Sequence, residues 1–526
     1  MVAASELPVD TSASATEMAE TIFGDGVTIE SASYTGSGYS SGTYTNGDSI
    51  APGVTPGDEG IILSTGQAQD ITNSSGSSNQ SNSTSTNSGG PNFQSDFNAA
   101  AGTWTYDASY LDVDFTPTGS VMTMQFVFSS EEYPEYANGA YQDLFGVWVN
   151  GSQVDLSVGD GDIDPGNVNA GDNENLFIDN TSDDYNTEMD GFTVTMTLTM
   201  YVNPDEVNSI RIGVADVLDS QYDSNVLIAA DSVQTVLIAN DDLTHLDGGQ
   251  TKTIDVLGND INENGNTLTI THINGQAVGA GDTITLATGQ DVTLNADGTF
   301  TLVADTNAED FSFTYTVDDG DNSDTGFVIV EGVPCFVRGT RITTARGEIP
   351  VEELEAGDAV LTRDNGLKPL RWIGGRKTRA QGNHAPVRIR AGTFGNHEEI
   401  WLSPLHRVLI RDSLAELLFG ESEVLVAARD LVNDSSVRVV TGGNVEYFHL
   451  LFDQHEVIFS EGLETESFLP GPQLNDSFEE QVAAEIYELF PEIDPDTGAG
   501  FSPAARRTLR PFEARLLQGA AQGKVA

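Results

Sequence analysis

The sequence has little cysteine, little positive charge and no long apolar run. Its single cysteine, Cys335, excludes an intramolecular disulfide framework and a cysteine-built zinc site. Lys and Arg total 22 against 81 Asp and Glu, a net charge of −59. Phosphate backbones are held by clustered cations, so this balance excludes a nucleic-acid partner. It equally disfavours an anionic membrane surface. No apolar stretch approaches the roughly 18 residues that a membrane-spanning helix needs. Met1 to Ser14 has neither a basic start nor an apolar centre. No Sec-type signal peptide is therefore expected, and export requires another address, such as a C-terminal one.

What the 526 residues do contain is divided unevenly. Residues 1–333 hold 52 Asp and Glu but only Arg211 and Lys252 as bases; the other 29 acids and 20 bases come later. Two unlike parts are joined near that point. A lysine-poor, acidic first part suits an extracellular or cell-surface protein, where divalent cations are the natural counterions.

From about residue 20 to 238, short segments of period-two alternation such as Val121–Phe128, Phe145–Val149 and Phe192–Leu198 are separated by Gly, Asn, Asp and Ser. This spacing, with no helical stretch between, predicts a β-sandwich. Residues 71–90, nearly all Ser, Asn, Thr and Gly, read as a low-complexity loop with nothing to bury. A second β unit is expected over 239–332, and 333–470 differs again, with Arg common. In the last segment, 471–526, Ser477-Phe-Glu-Glu480 forms a capping box ahead of Phe478, Val482, Ile486 and Phe490. An amphipathic helix ending at Pro491 is expected there, and Ser502-Pro503 can start a second, Arg-rich one. The fold class is mainly β, with a short helical tail.

Three resemblances attach to these segments. Ser129-Ser-Glu-Glu-Tyr-Pro-Glu-Tyr136, Asp143-Leu-Phe-Gly146 and Ala215-Asp…Asp219-Ser-Gln-Tyr-Asp-Ser224 make residues 1–238 resemble the choice-of-anchor L domain of bacterial surface and secreted proteins. Residues 239–332 open with Ala239-Asn-Asp-Asp242 and close with Phe311-Ser-Phe-Thr-Tyr-Thr-Val-Asp-Asp-Gly320. They resemble the cadherin-like, Ig-type repeat of bacterial adhesins, present once and hence as a spacer.

The third carries chemistry. Pro334-Cys-Phe-Val-Arg-Gly-Thr-Arg-Ile342, Val351-Glu-Glu-Leu-Glu-Ala-Gly-Asp-Ala-Val360, Leu402-Ser-Pro-Leu-His-Arg-Val408 and Tyr447-Phe-His-Leu-Leu-Phe-Asp-Gln-His-Glu-Val457 follow in order. Residues 333–470 thereby resemble the Hint (hedgehog/intein) fold in its bacterial form. A thiol heading such a module can attack the preceding carbonyl, here that of Pro334, converting an amide into a more labile thioester. Cysteine suits the step because it is partly thiolate near neutral pH. The resemblance implies that His406 protonates the departing nitrogen, with Ser403 hydrogen-bonding nearby; imidazole suits proton transfer near pH 7. It also makes Asp453 and His455 second-rank candidates, while His384, His397 and His449 read as structural. No cofactor is needed for cleavage. The final block, Phe459–Phe468, lacks the His-Asn pair of splicing members, so N-terminal cleavage without splicing is expected. An acceptor nucleophile would then resolve the thioester.

The acidic part offers calcium. Asp160, Asp162 and Asp164 alternate as in oxygen-ligand loops, without the EF-hand pattern. Asp241, Asp242, Asp260, Asp318 and Asp319 fall at the ends of the Ig-like unit. Two other readings stay open: a calcium-stabilised adhesin with an inert Hint fold, and a calcium-dependent carbohydrate binder. Whatever the acidic part binds outside the cell is not legible.

Overall fold

The structure is a computed structural model. It describes residues 2–526 except 82, 138, 160, 245, 247–248, 306–310, 331–334, 381–384, 413–414, 417–420, 434, 470–485, 488, 491–500, 510–513, 515–516 and 518–526. Pro334, Asp160 and His384 thus lie outside the described residues, as does most of the expected 477–490 helix. The chain divides into two compact units. The first comprises Met1–Asp242, Thr253–Leu302 and Phe311–Ile329; the second comprises Leu243–Lys252, Val303–Asp310 and Val330–Ala526.

In the first unit, alternating sequences become two antiparallel sheets, as predicted. The strand Val121–Ser130 pairs with Ser224–Ala229, Gly191–Thr193 and Met196–Tyr201. Thr105–Pro117 and Asn208–Val217 lie side by side in the other sheet, with Leu144–Val149 next to them. Met124, Phe126, Phe128, Leu111, Phe115, Ile212 and Val214 fill the core, each fully buried. Removing such side chains from water is the main stabilising term.

Among the described residues of this unit, three short helices interrupt the all-β expectation, one of them the single turn Gly47–Ile50. Ala15–Ile22 starts at a capping box, in which the Ser14 hydroxyl accepts the Glu17 amide and Glu17 reaches back to Ser14, and it buries Met18, Ala19 and Ile22. Ser95–Ala101 is stopped by Gly102, whose φ of 64° is the left-handed value glycine adopts without cost. Its Phe97 inserts beside Trp148, with ring centroids 4.8 Å apart.

The low-complexity segment 71–90 has work of its own. It buries little apolar surface, yet its backbone serves acids of the sandwich: Thr86 N–H donates to Asp223 at 2.7 Å, and Ser88 N–H to Asp107 at 2.9 Å. Glu131, Glu132, Asp143, Asp216 and Asp223 are each 3 % exposed or less. Burial pushes their carboxyls up, to about 9 for Glu131, about 10 for Glu132, about 8 for Asp143 and about 7 for Asp223. Asp216 is raised too, first by burial and then by the neighbouring Asp143 charge. The unit's one Lys or Arg, Arg211, is committed elsewhere, to Asp96 at 2.6 Å and Asp112 at 2.8 Å.

The Ig-like segment contributes the pairing of Thr269–Ile273 with Phe311–Asp318 and the hairpin of Thr283–Thr285 with Asp291–Leu294. Phe300, Phe313 and Tyr315 are fully buried in it.

The second unit is built on two further sheets. One runs in the order Trp372–Arg379, Asn444–Leu451, Phe336–Val337, Ile400–Leu402, Val387–Ile389, Val437–Val439. The other contains Arg341–Thr344, Ala359–Thr362, Val457–Ser460, Leu463–Glu466, Arg407–Arg411 and Glu423–Ala427. From the last segment, Ile486 and Phe490 join a buried apolar cluster with Cys335, Trp372, Tyr447, Leu451 and Phe468. The Phe490 amide donates to the Ile486 carbonyl at 2.9 Å, the helical bond expected there. The second helix does not start at Ser502. Residues 502–509 run as irregular chain in which Thr508 bridges Leu425, because the Leu425 edge offers the backbone partners instead.

Candidate active site around Cys335

The register places the nucleophile. Phe336 stands opposite Leu402 on one neighbouring strand and Phe448 on the other, both antiparallel. One step back along this strand is therefore one step forward along its partners. Cys335 falls beside Ser403 and His449. Because side chains alternate between faces, Phe336 enters the main core of the unit while Cys335 faces the other apolar cluster.

The contacts follow from that register. The Cys335 N–H donates to Ser403 Oγ at 2.8 Å, and the Ser403 N–H donates to the Cys335 carbonyl at 3.0 Å. Cys335 Sγ lies 3.5 Å from His449 Nε2. The thiol is 1 % exposed and His449 2 %.

Ser403-Pro404-Leu405-His406 makes a tight turn, closed by the His406 N–H on the Ser403 carbonyl at 3.1 Å. This brings His406 back toward the start of the module, its ring edge-on to Phe336 with centroids 4.3 Å apart. His406 is 1 % exposed, and among the described residues neither ring nitrogen has a hydrogen-bond partner at normal geometry. Burial pulls its imidazole down to about 4; the Glu466 charge and the backbones of Cys335 and Glu466 oppose that pull, whereas the Arg407 charge adds to it.

Glu466 is a residue that sequence reasoning missed. Its side chain is fully buried. Oε1 accepts the Arg407 N–H at 2.8 Å, and Oε2 lies 3.3 Å from both Arg407 Nη1 and His455 Nε2. Burial alone would push this carboxyl up. The Arg407 guanidinium first, and then the His455 hydrogen bond, outweigh it and hold the group at about 2. In Leu463-Glu-Thr-Glu466 the two acids look like one solvated strand face, so only strand pairing reveals the difference.

Of the predicted site residues, Cys335, Ser403 and His406 come together. His449, read as structural, belongs with them; its sole sequence signal was its place one residue after the partner of Phe336. His455 is 3 % exposed and sits behind His406, paired with Glu466. Its Nδ1 accepts the Ala505 N–H at 2.9 Å, which assigns the ring hydrogen to Nε2, 3.1 Å from the Ser467 carbonyl. Asp453 is on the surface, its side chain 59 % exposed and paired with Arg371 at 3.1 Å. His397 is a loop residue whose Nε2 accepts the Phe394 N–H at 3.1 Å.

The acids named for calcium have backbone partners. Asp164 accepts from Gly166 and Asn167, Asp318 from Gly320, and Asp319 from Asp321 and Asn322, all turn contacts of 3.0 Å or less. Asp241 accepts the Phe327 N–H at 3.1 Å, and Asp260 accepts the Asn240 N–H at 2.8 Å and the Tyr315 hydroxyl at 3.0 Å. Asp162 and Asp242 are part-buried. Among the described residues, no three His, Cys, Asp or Glu side chains gather where they could hold one metal ion. None of the described helices is long and apolar enough to cross a membrane.

Comparison with known proteins agrees with this division. Residues 8–234 match the choice-of-anchor L domain, 230–331 the bacterial Ig domain and 334–472 the Hint domain. Similar solved structures include the gp41-1 intein, 13 % identical, covering 25 % of this chain and 97 % of that one at a TM-score of 0.17. Another is the MchDnaB-1 intein, 13 % identical, covering 26 % and 99 % at a TM-score of 0.19. No curated protein matches the chain. The chain thus carries a choice-of-anchor L domain, a bacterial Ig domain and, around Cys335, a Hint domain.

Proposed function

We propose that the Hint domain cuts its own chain between Pro334 and Cys335, without splicing, in a bacterial protein of the cell surface or extracellular space. The observation that carries this reading is Ser403 on the amide of Cys335 and His449 beside its thiol, with the buried His406 ring next to the same strand. In the step, the Pro334 carbonyl carbon forms a bond to Sγ and its bond to the Cys335 nitrogen breaks. The thiol proton passes to His449 Nε2, and a proton from His406 goes to the departing nitrogen. Water, a thiol or another acceptor nucleophile then takes the acyl group and frees the sulfur.

Burial makes imidazolium at His406 scarce at neutral pH, so the reaction is slow. The acidic domains ahead of it are the released or transferred passenger, whose fold divalent cations such as Ca²⁺ would reinforce by neutralising carboxylates. Their ligand is an extracellular molecule or surface.

The test is the intact mass of the purified chain, incubated with and without dithiothreitol. Fragments of 1–334 and 335–526 should accumulate faster with the thiol, vanish in Cys335→Ala and be much reduced in His406→Ala. Equal cleavage in Cys335→Ala would sink the mechanism and leave the inert-module reading. A product joining residues 1–334 to any later segment would overturn the absence of splicing.

A further inference from the structure

His406 can give a proton to the departing nitrogen only if its buried ring can take one up. Burial with no hydrogen-bond partner at normal geometry makes that charge costly. The charged and titratable groups facing His406 are few. The antiparallel pairing of Val408 with Thr465 sets Glu466 against Arg407, the residue after His406; Glu466 favours the charge and Arg407 opposes it. Cys335 presents its backbone and so does Glu466, both favouring the protonated ring. His455 shares the Glu466 carboxylate from the segment before Val457–Ser460.

We propose that Glu466 is a positioning residue for the cleavage: its buried carboxylate supplies the countercharge that lets His406 hold a proton beside the Cys335 backbone. This role rests on the reading of His406 as proton donor, and it gives the carboxylate a task beyond pairing Arg407 and His455. A carboxylate held ionised by Arg407 stays charged throughout the working pH range, so its field on His406 is constant. The Arg407 N–H on Oε1 fixes where that field originates.

The pH profile separates this role from a structural one. With an imidazolium donor at His406 and a thiol that passes its proton to His449, the rate should rise with pH up to the His406 midpoint. It should then stay level until the Cys335–His449 pair releases its first proton. On the level stretch the imidazolium fraction sets the rate, so each unit by which the His406 midpoint falls lowers the plateau about tenfold.

Two measurements are made on the full chain. One is the imidazole titration of ¹⁵N-histidine-labelled protein in a Cys335→Ala background. The other is the cleavage rate against pH with the thiol intact. Glu466→Gln keeps the shape and loses the charge. It should move the His406 midpoint down by about one unit or more and lower the plateau by about tenfold or more. Glu466→Asp should restore most of both. If Glu466→Gln does not fold, Glu466→Asp carries the test, since a retained charge should keep the His406 midpoint within about one unit of the parent's.

An unmoved His406 midpoint in Glu466→Gln, or one lowered by more than about one unit in Glu466→Asp, overturns the role. If the midpoint moves as expected but no variant, nor the parent chain, ever cleaves, then the cleavage reading fails. The hold of Glu466 on the His406 charge survives that result.

Discussion

Cys335 and Ser403 hold each other by two hydrogen bonds, the Cys335 N–H to Ser403 Oγ at 2.8 Å and the Ser403 N–H to the Cys335 carbonyl at 3.0 Å. The pair fixes the nitrogen that must leave. Replacing Ser403 by Ala leaves a buried N–H unpaired at a cost of about 1–3 kcal/mol. Cleavage in Ser403→Ala should fall by about tenfold or more, while Ser403→Thr, which keeps the hydroxyl, should stay near the parent rate. Single-turnover kinetics followed on a gel decide it; an unchanged Ala variant removes the clamp from the chemistry.

His449 should matter as much as His406. Its Nε2 is the imidazole nitrogen within 3.5 Å of the thiol. A positioned base typically contributes about 10²–10⁴-fold. His449→Phe, which fills the space without a basic nitrogen, should slow cleavage by at least about a hundredfold. Circular dichroism would check that the fold persists. A folded His449→Phe that cleaves at the parent rate makes the contact a packing one.

The first unit should weaken as pH rises. Glu131, Glu132, Asp143 and Asp223 have carboxyls raised by burial to between about 7 and about 10. Raised groups bind more protons folded than unfolded. Their stabilising effect is complete below the unfolded value near 4 and is lost as pH climbs through the folded values. Calorimetry of the full Cys335→Ala chain should show one transition falling by more than about 5 °C between pH 5 and pH 9. A transition that holds or rises over that interval would contradict the protonated, buried state of these acids.

Calcium should counter that loss. With Arg211 as its one Lys or Arg, the first unit depends on protons or outside cations for neutralisation. A ligand that binds only the folded form adds RT ln(1 + [L]/Kd), about 1 kcal/mol per site at a few multiples of Kd. At pH 8, Ca²⁺ at about 5 mM should therefore raise the same transition by several degrees. NaCl of matched ionic strength only screens, and equal protection by NaCl would reduce the carboxylates to a polyanionic background.

Much of the architecture was legible because it is local. Alternation announced the strands around Phe126 and Val147, and the Cys335, Ser403 and His406 motifs stood in order along the chain. What stayed hidden depends on which strands pair. His449 looks like one more residue of a buried strand until Phe336 is set against Phe448. Glu466 resembles Glu464 in sequence, yet Glu464 joins a surface network with Arg363 and Arg411 while Glu466 is sealed beside Arg407. The acids at 131, 132, 143, 216 and 223 add to a composition that suggests solvated carboxylates. Their burial is a property of strand ends gathered from distant positions. The helix Ser95–Ala101 is too short for periodicity to announce.

The apolar cluster over the thiol has a consequence in time. Ribosomes deliver Cys335 long before Ile486 and Phe490, which help to enclose it. Until those two arrive, the sulfur is open to bulky electrophiles; afterwards it is packed among Trp372, Tyr447 and Phe468. Maturation of the site is therefore tied to the completion of this stretch of synthesis, a clock set by chain order. Ribosome-bound chains stalled before residue 486 should take up a bulky maleimide at Cys335, and the finished protein should refuse it.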